Sequence, residues 1–231
     1  MHISVLIPIY NEGNNINFTI NKINSFFSNK YNYEIIIVDD FSNNNTIEIL
    51  KSIKNKNIKI FFNKSNKGKG YSLRKAIKES SGDIILTTDA DLSADISEFD
   101  KLFRQYKKGY SFVIGSRSKK NSIIKVKQNL LRIFLGKSFN ILVRIILGLN
   151  FKDTQCGFKL YESKKIKPFI SLCKIDRFCT DVEILYLAKK NNISVFEEGI
   201  IWSNSKKSSV NILLDPINMF FDLINIKFTK Y

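Results

Sequence analysis

The first half of the chain is punctuated by short apolar runs at residues 3–9, 34–38, 58–62, 83–88 and 110–115. Each is rich in Ile and Val and no longer than a strand. Between them, apolar positions fall at helical spacing. Ile16, Ile20, Ile23 and Phe27 form one stripe, Ile47, Leu50 and Ile53 a second, and Leu73 and Ile77 a third. Residues three or four apart share one helix face, whereas an unbroken apolar strand is buried on both faces. Strands alternating with such helices predict an α/β fold: a mostly parallel central sheet with helices on both faces.

The second half reads differently. Residues 122–149 interleave Lys125, Lys127, Arg132, Lys137 and Arg144 with bulky apolar side chains, which predicts one long or two short amphipathic helices. A helix over 181–190, a short strand over 194–198, a polar loop to Asn211 and an apolar, helix-length segment at 212–228 complete the reading.

In open α/β sheets ligands sit beyond the carboxyl ends of the strands. The residues there are polar, in contrast to the runs beneath them. Pro8, Tyr10 and Glu12 follow the first run, and Asp39, Asp40 and Ser42 the second. Lys67-Gly68-Lys69-Gly70 follows the third, Asp89-Ala90-Asp91 the fourth, and Ser116-Arg117 the fifth. Two carboxylates one residue apart repel unless a cation lies between them, and a hard divalent ion suits them. Glycines at a helix start permit close backbone approach, and helix N-termini favour anions. Arginine forks suit phosphate.

Composition narrows the chemistry. With 44% hydrophobic and 25% charged residues the 231-residue chain is globular rather than disordered. The net charge of +16 calls for an anionic partner, and residues 101–152 hold thirteen Lys and Arg but no Asp or Glu. The only histidine is His2, which excludes Ser-His-Asp and Cys-His machinery. Cys156, Cys173 and Cys179 form no C-x-x-C pair, which argues against a zinc site or disulfide scaffold. No Walker A or G-x-G-x-x-G motif occurs. No RNA-binding aromatic pattern or helix-turn-helix accompanies the charge, so a nucleic-acid-binding protein is a remote alternative. The longest stretch without a charged residue is 1–11, which has none of the features of a secretory signal and is far too short to span a bilayer. Membrane contact is therefore expected to be peripheral, through 101–152, with Ile124, Leu131, Phe134, Phe139 and Leu142 either in the bilayer surface or in the core.

The motifs V-L-I-P-I-Y-N-E (5–12), I-I-V-D-D-F-S (36–42), N-K-G-K-G (66–70), T-D-A-D-L (88–92), I-G-S-R (114–117), D-T-Q-C-G-F-K-L (153–160) and D-V-E-I-L-Y-L-A (181–188) run through most of the chain. Together they resemble family 2 glycosyltransferases of the GT-A fold. The last two are similar to the branch that glycosylates dolichyl and other polyprenyl phosphates.

The resemblance implies a catalytic domain over 1–203, containing membrane-facing amphipathic helices at 122–150, and a C-terminal loop and helix over 204–231. It implies inverting transfer of glucose from UDP-glucose to polyprenyl phosphate on the cytoplasmic face of an anionic membrane. GDP-mannose or UDP-GlcNAc donors, or a glycan hydroxyl acceptor, are the alternatives; the oligomeric state is left open. Pro8, Tyr10, Glu12, Asp39 and Asp40 would shape the nucleotide pocket, with Lys69 near the base and diphosphate. Asp89 and Asp91 would meet the donor and hold Mg2+ or Mn2+. Arg117 and Arg132 would face donor diphosphate and acceptor phosphate, and Gln155, Gly157, Asp181 and Glu183 the sugar. Three departures stand out. Ser93 replaces a Gln metal ligand of many relatives. Residues 42–46, Ser-Asn-Asn-Asn-Thr, lack the acid and the glycine of the family's V-D-D-x-S-x-D-G-T. Ser208-Ser209-Val210 replaces S-K-[LV]; either Lys206 or Lys207 substitutes, or the tail is organised differently.

Overall fold

The structure, a computed structural model, describes residues 1–204 and 214–231. A seven-stranded sheet organises it. The strands are β1 (His2–Ile9), β2 (Asn32–Asp39), β3 (Ile58–Phe62), β4 (Ile84–Thr87), β5 (Phe112–Ser116), β7 (Lys159–Glu162) and β8 (Val195–Gly199), in the order β3-β2-β1-β4-β7-β5-β8. All neighbours are parallel except β7, which runs antiparallel to β4 and β5. The expected mostly parallel sheet is thus present, with one reversed strand in its middle.

Alternate residues of the central strands serve two cores. Val5, Ile7, Ile35 and Leu86 face helix α1 (Gly13–Phe27) and helix α4 (Phe99–Lys107); Leu6, Ile36, Val38 and Ile85 face α3 (Lys69–Glu79), α6 (Ser163–Ile170) and α7 (Thr180–Lys190). Both faces are covered at the sheet centre, so every residue of β4 is buried, whereas edge strand β3 is only partly so. Short helix α2 (Thr46–Ser52) packs beside α1, and Thr180 to Ala188 of α7 are buried all round.

Two elements differ from expectation. Residues 123–126, read as the start of an amphipathic helix, form strand β6 (Ile123–Val126), paired with β9 (Ile201–Ser203). One helix, α5 (Leu130–Leu147), follows, begun by the Asn129 side chain accepting from the Leu131 N–H and ended by Gly148 at φ 63°. The apolar residues of 122–149 divide. Leu131 and Phe134 are exposed, whereas Ile124, Phe139 and Leu142 pack partly against the core. Helix α8 (Leu214–Phe228) packs on α5; the remainder of the 212–228 segment, with Lys206, Lys207 and Ser208 to Val210, lies outside the described residues.

Candidate active site

A cleft of about 770 Å³ opens above the carboxyl ends of β1, β2 and β4 and extends between α5 and α8. It brings together Pro8, Tyr10, Glu12, Asp40, Lys69, Asp89, Asp91, Arg117, Arg132, Gln155 and Gly157. Asp39, Asp181 and Glu183 do not line it.

The β2 end shows why its two acids part company. Both oxygens of Asp39 are taken by the backbone and hydroxyl of Ser42. Asp40 Oδ1 accepts from Asn63 Nδ2 at 2.8 Å and the Lys67 N–H at 2.9 Å, and Oδ2 from the Gly68 N–H at 2.7 Å. The anion at the start of α3 is therefore the protein's own carboxylate. The glycines there also serve the protein. Gly68 has φ 103°, and a Cβ on it would lie 2.5 Å from the Asp176 carbonyl; one on Gly70 would lie 2.6 Å from that of Ile175. They make room for the loop at 175–177, and Gly68 also lines the cleft.

At the end of β4, Asp89 Oδ1 accepts from Lys69 Nζ at 2.6 Å. Burial alone would raise the Asp89 carboxyl; Lys69, Lys159 and Arg117 outweigh it and hold it below the ordinary range. Gly157 lies against this carboxylate, and a Cβ there would collide with both oxygens. Asp91 accepts the Ser93 N–H at Oδ1, 2.9 Å away, and its carboxylate borders the cleft. Hard oxygens of this kind fit Mg2+ or Mn2+.

Two guanidiniums face these acids. Arg117 is clamped by Asp153, with Nε to Oδ2 at 2.6 Å and Nη2 to Oδ1 at 2.8 Å, and lies 5.4 Å from the centre of the Trp202 ring. Arg132 is held below its usual range by burial and then by Arg117, with Asp91 acting the other way. Asp153 keeps Arg117 charged, so Arg132 carries the repulsion, and an anion beside Arg132 would relieve it.

Asp181 instead pairs, at 2.6 Å, with Lys159, a fully buried ammonium in β7. Glu183 accepts the backbone N–H groups of Lys174 and Ile175 and the Tyr231 hydroxyl. Cys156 borders the cleft, but burial pushes its thiol up to about 11, so it is no nucleophile. No role at the site was expected for Arg177, Trp202, Leu135, Gly136, Phe139 and Met219, which line the cleft, or for Asp153 and Lys159, which pair with Arg117 and Asp181. Asp153 and Lys159 stood in one quoted motif, on either side of Gln155, and Phe139 in the basic amphipathic stretch; Arg177, Trp202 and Met219 carried no local signal.

Sheet order, strand-end cleft and paired acids are those expected of the GT-A fold. Comparison with solved structures agrees on the fold. Mannosyl-3-phosphoglycerate synthase from Rubrobacter xylanophilus superposes with a TM-score of 0.71 at 16% identity, over 98% of this chain and 72% of its own. Glucosyl-3-phosphoglycerate synthase from Mycobacterium tuberculosis, crystallised with Mn2+ and uridine-diphosphate-glucose, gives 0.69 at 16% identity over 97% and 77%.

By sequence, residues 4–168 match the family described as Glycosyl transferase family 2, and the chain belongs to that family. Curated relatives include the dolichyl-phosphate beta-glucosyltransferases of Dictyostelium discoideum, 32% identical over 99% of this chain and 74% of the relative, and Saccharomyces cerevisiae, 31% identical over 97% and 74%.

Proposed function

We propose that the protein moves glucose from UDP-glucose to a polyprenyl phosphate, dolichyl or undecaprenyl, with inversion at the anomeric carbon. One observation carries this reading: the cleft lining joins two kinds of side chain. Asp89, Asp91, Arg117, Arg132 and Gln155 line it together with Leu135, Phe139 and Met219. A nucleotide sugar is polar throughout, whereas a lipid phosphate is an anion with a hydrocarbon tail and uses both. The names of the full-length relatives support the same sugar and acceptor.

A phosphate oxygen of the acceptor attacks the anomeric carbon as the bond from that carbon to the diphosphate breaks, and the electron pair leaves with UDP. The nucleophile is already an anion, so no general base is required. The only histidine, His2, lies beside Glu34, outside the cleft. Asp181 and Glu183, the bases a glycan hydroxyl would need, are committed elsewhere, which favours the phosphate acceptor. Tyr10, Glu12 and Lys69 would meet the nucleotide, Gln155 and Gly157 the sugar, and Arg117 and Arg132 the two anionic groups. Asp91, with Asp89, would hold Mg2+ or Mn2+, which neutralises diphosphate charge when bound.

In this reading residues 1–203 are the catalytic unit, 204–231 an appended segment, and attachment is peripheral, at the cytoplasmic face of an anionic membrane. No helix among the described residues is long and apolar enough to cross a bilayer. Helix α5 instead exposes Leu130, Phe134, Ile141 and Ile145 along one face, and α8 exposes Ile217, Phe221 and Phe228. Of the bases in residues 101–152, Arg132, Lys137 and Arg144 lie on α5 itself. A donor panel tests the activity: labelled UDP-glucose, UDP-GlcNAc and GDP-mannose with polyprenyl phosphate, followed into the organic phase. UDP-glucose should dominate; preference for either other donor would replace the reading.

A further inference from the structure

Asp153 lies at the join between two parts of the cleft. Its carboxylate accepts four hydrogen bonds. Three come from Arg117: the backbone N–H at 2.9 Å, Nε at 2.6 Å and Nη2 at 2.8 Å. The fourth is the Gln155 N–H, 3.1 Å from Oδ1. Arg117 follows β5, whereas Gln155 belongs to the turn leading into β7, so one buried carboxylate ties two walls together. Asp153 is itself anchored, since Glu197 Oε1 on β8 accepts the backbone N–H groups of Lys152 and Asp153 at 2.9 and 2.8 Å. The Trp202 ring lies against the same guanidinium.

A buried ion pair is an uncertain source of stability, because removing two charges from water offsets most of their attraction. What a two-point clamp does reliably is fix orientation. Of the five N–H donors of Arg117, Asp153 takes Nε–H and one on Nη2, which leaves three for a ligand in the cleft. Resting on the lipid-phosphate reading above, we infer that Asp153 is a positioning residue. It aims the remaining Arg117 donors at the acceptor phosphate and, through the Gln155 backbone, sets their distance from the transferred sugar. It touches neither substrate.

The test is a double-mutant cycle on kcat/KM for polyprenyl phosphate, using Asp153→Asn, Arg117→Lys and the pair. Asp153→Asn keeps the size and loses the clamp, and misplacement of a reacting group by about 1 Å costs on the order of 100-fold. In the Arg117→Lys background, where the fork is already gone, the same substitution should cost less than about threefold. A merely structural Asp153 would lower turnover by the same factor in both backgrounds, and that additivity would overturn the inference. Should Asp153→Asn fail to fold, Asp153→Glu, which keeps the charge but shifts it by one methylene, enters the same cycle under the same criterion. Wild type that transfers no sugar to polyprenyl phosphate would remove the functional reading, and this inference with it. Wild-type transfer with additive losses removes the positioning role alone.

Discussion

Replacing Leu130, Phe134 and Ile145 by Ser together should release the protein from anionic vesicles and leave it folded. The three side chains share one face of α5 and are 82%, 65% and 75% exposed, so the core rests little on them. Fully burying one such side chain in an apolar phase is worth about 1.5–3 kcal/mol; scaled by the exposed fractions and taken at the low end for a shallow interface, the three give roughly 3 kcal/mol. That corresponds to a partition on the order of a few hundredfold weaker. The bases, each worth on the order of 1 kcal/mol near an anionic leaflet, remain in the variant, so residual binding should vanish with added salt. Flotation with anionic and neutral vesicles at low and high salt reads the binding, and a thermal melt reads the fold. Wild type that stays at the bottom of the gradient, or a variant that floats as well as wild type, refutes membrane docking by α5. A variant melting many degrees lower would instead make these side chains part of the packing.

Asp91→Asn should leave the melting temperature near wild type, because the side chain makes one local hydrogen bond, and remove most metal-dependent turnover; near-normal activity, or indifference to EDTA, would sink the metal assignment. Glu34 should govern acid stability. Burial would raise its carboxyl, but Lys59, Ser4 and Ser81 bring it from 4.5 down to about 2. A carboxylate lowered on folding stabilises above its unfolded value, so this contribution, roughly 3 kcal/mol, is present at neutral pH and fades from pH 4.5 towards 2. Denaturant melts of Glu34→Gln across that window should show a flatter pH profile than wild type, and parallel profiles would contradict it. Gly70→Ala sets two effects against each other. Helix propensity favours Ala by about 1 kcal/mol, whereas the new Cβ meets the Ile175 carbonyl at 2.6 Å and Thr180 Cβ at 2.8 Å. Overpacking of this kind costs about 1–3 kcal/mol, so net destabilisation is expected; a raised melting temperature would show that the 175–177 loop yields.

Local pattern sufficed where structure is local. Continuous Ile and Val runs revealed β1 to β5 because both sheet faces are covered, and Asp89-Ala90-Asp91 was visible because its acids are neighbours in sequence. Strand β7 escaped because buried Lys159 interrupts its apolar pattern, and the Asp181 that neutralises it lies 22 positions onward. The clamp on Arg117 spans 36 positions, beyond the reach of any periodicity. The close approach that Gly68 and Gly70 permit is to the 175–177 loop, whose arrival a sequence does not show. Asp181 and Glu183 stood in a quoted motif, yet the helix carrying them is buried all round, which turns them towards Lys159 and the 174–175 backbone instead of the cleft.

The central claim is that the acceptor is a phosphate already carrying its nucleophilic charge. Purified protein with UDP-[14C]glucose and a divalent cation, given either polyprenyl phosphate or the same polyprenol without phosphate, tests it most directly. The account predicts label in the organic phase with polyprenyl phosphate alone, released by mild acid. Label on the free polyprenol, or transfer only when a soluble glycan is supplied, would contradict it.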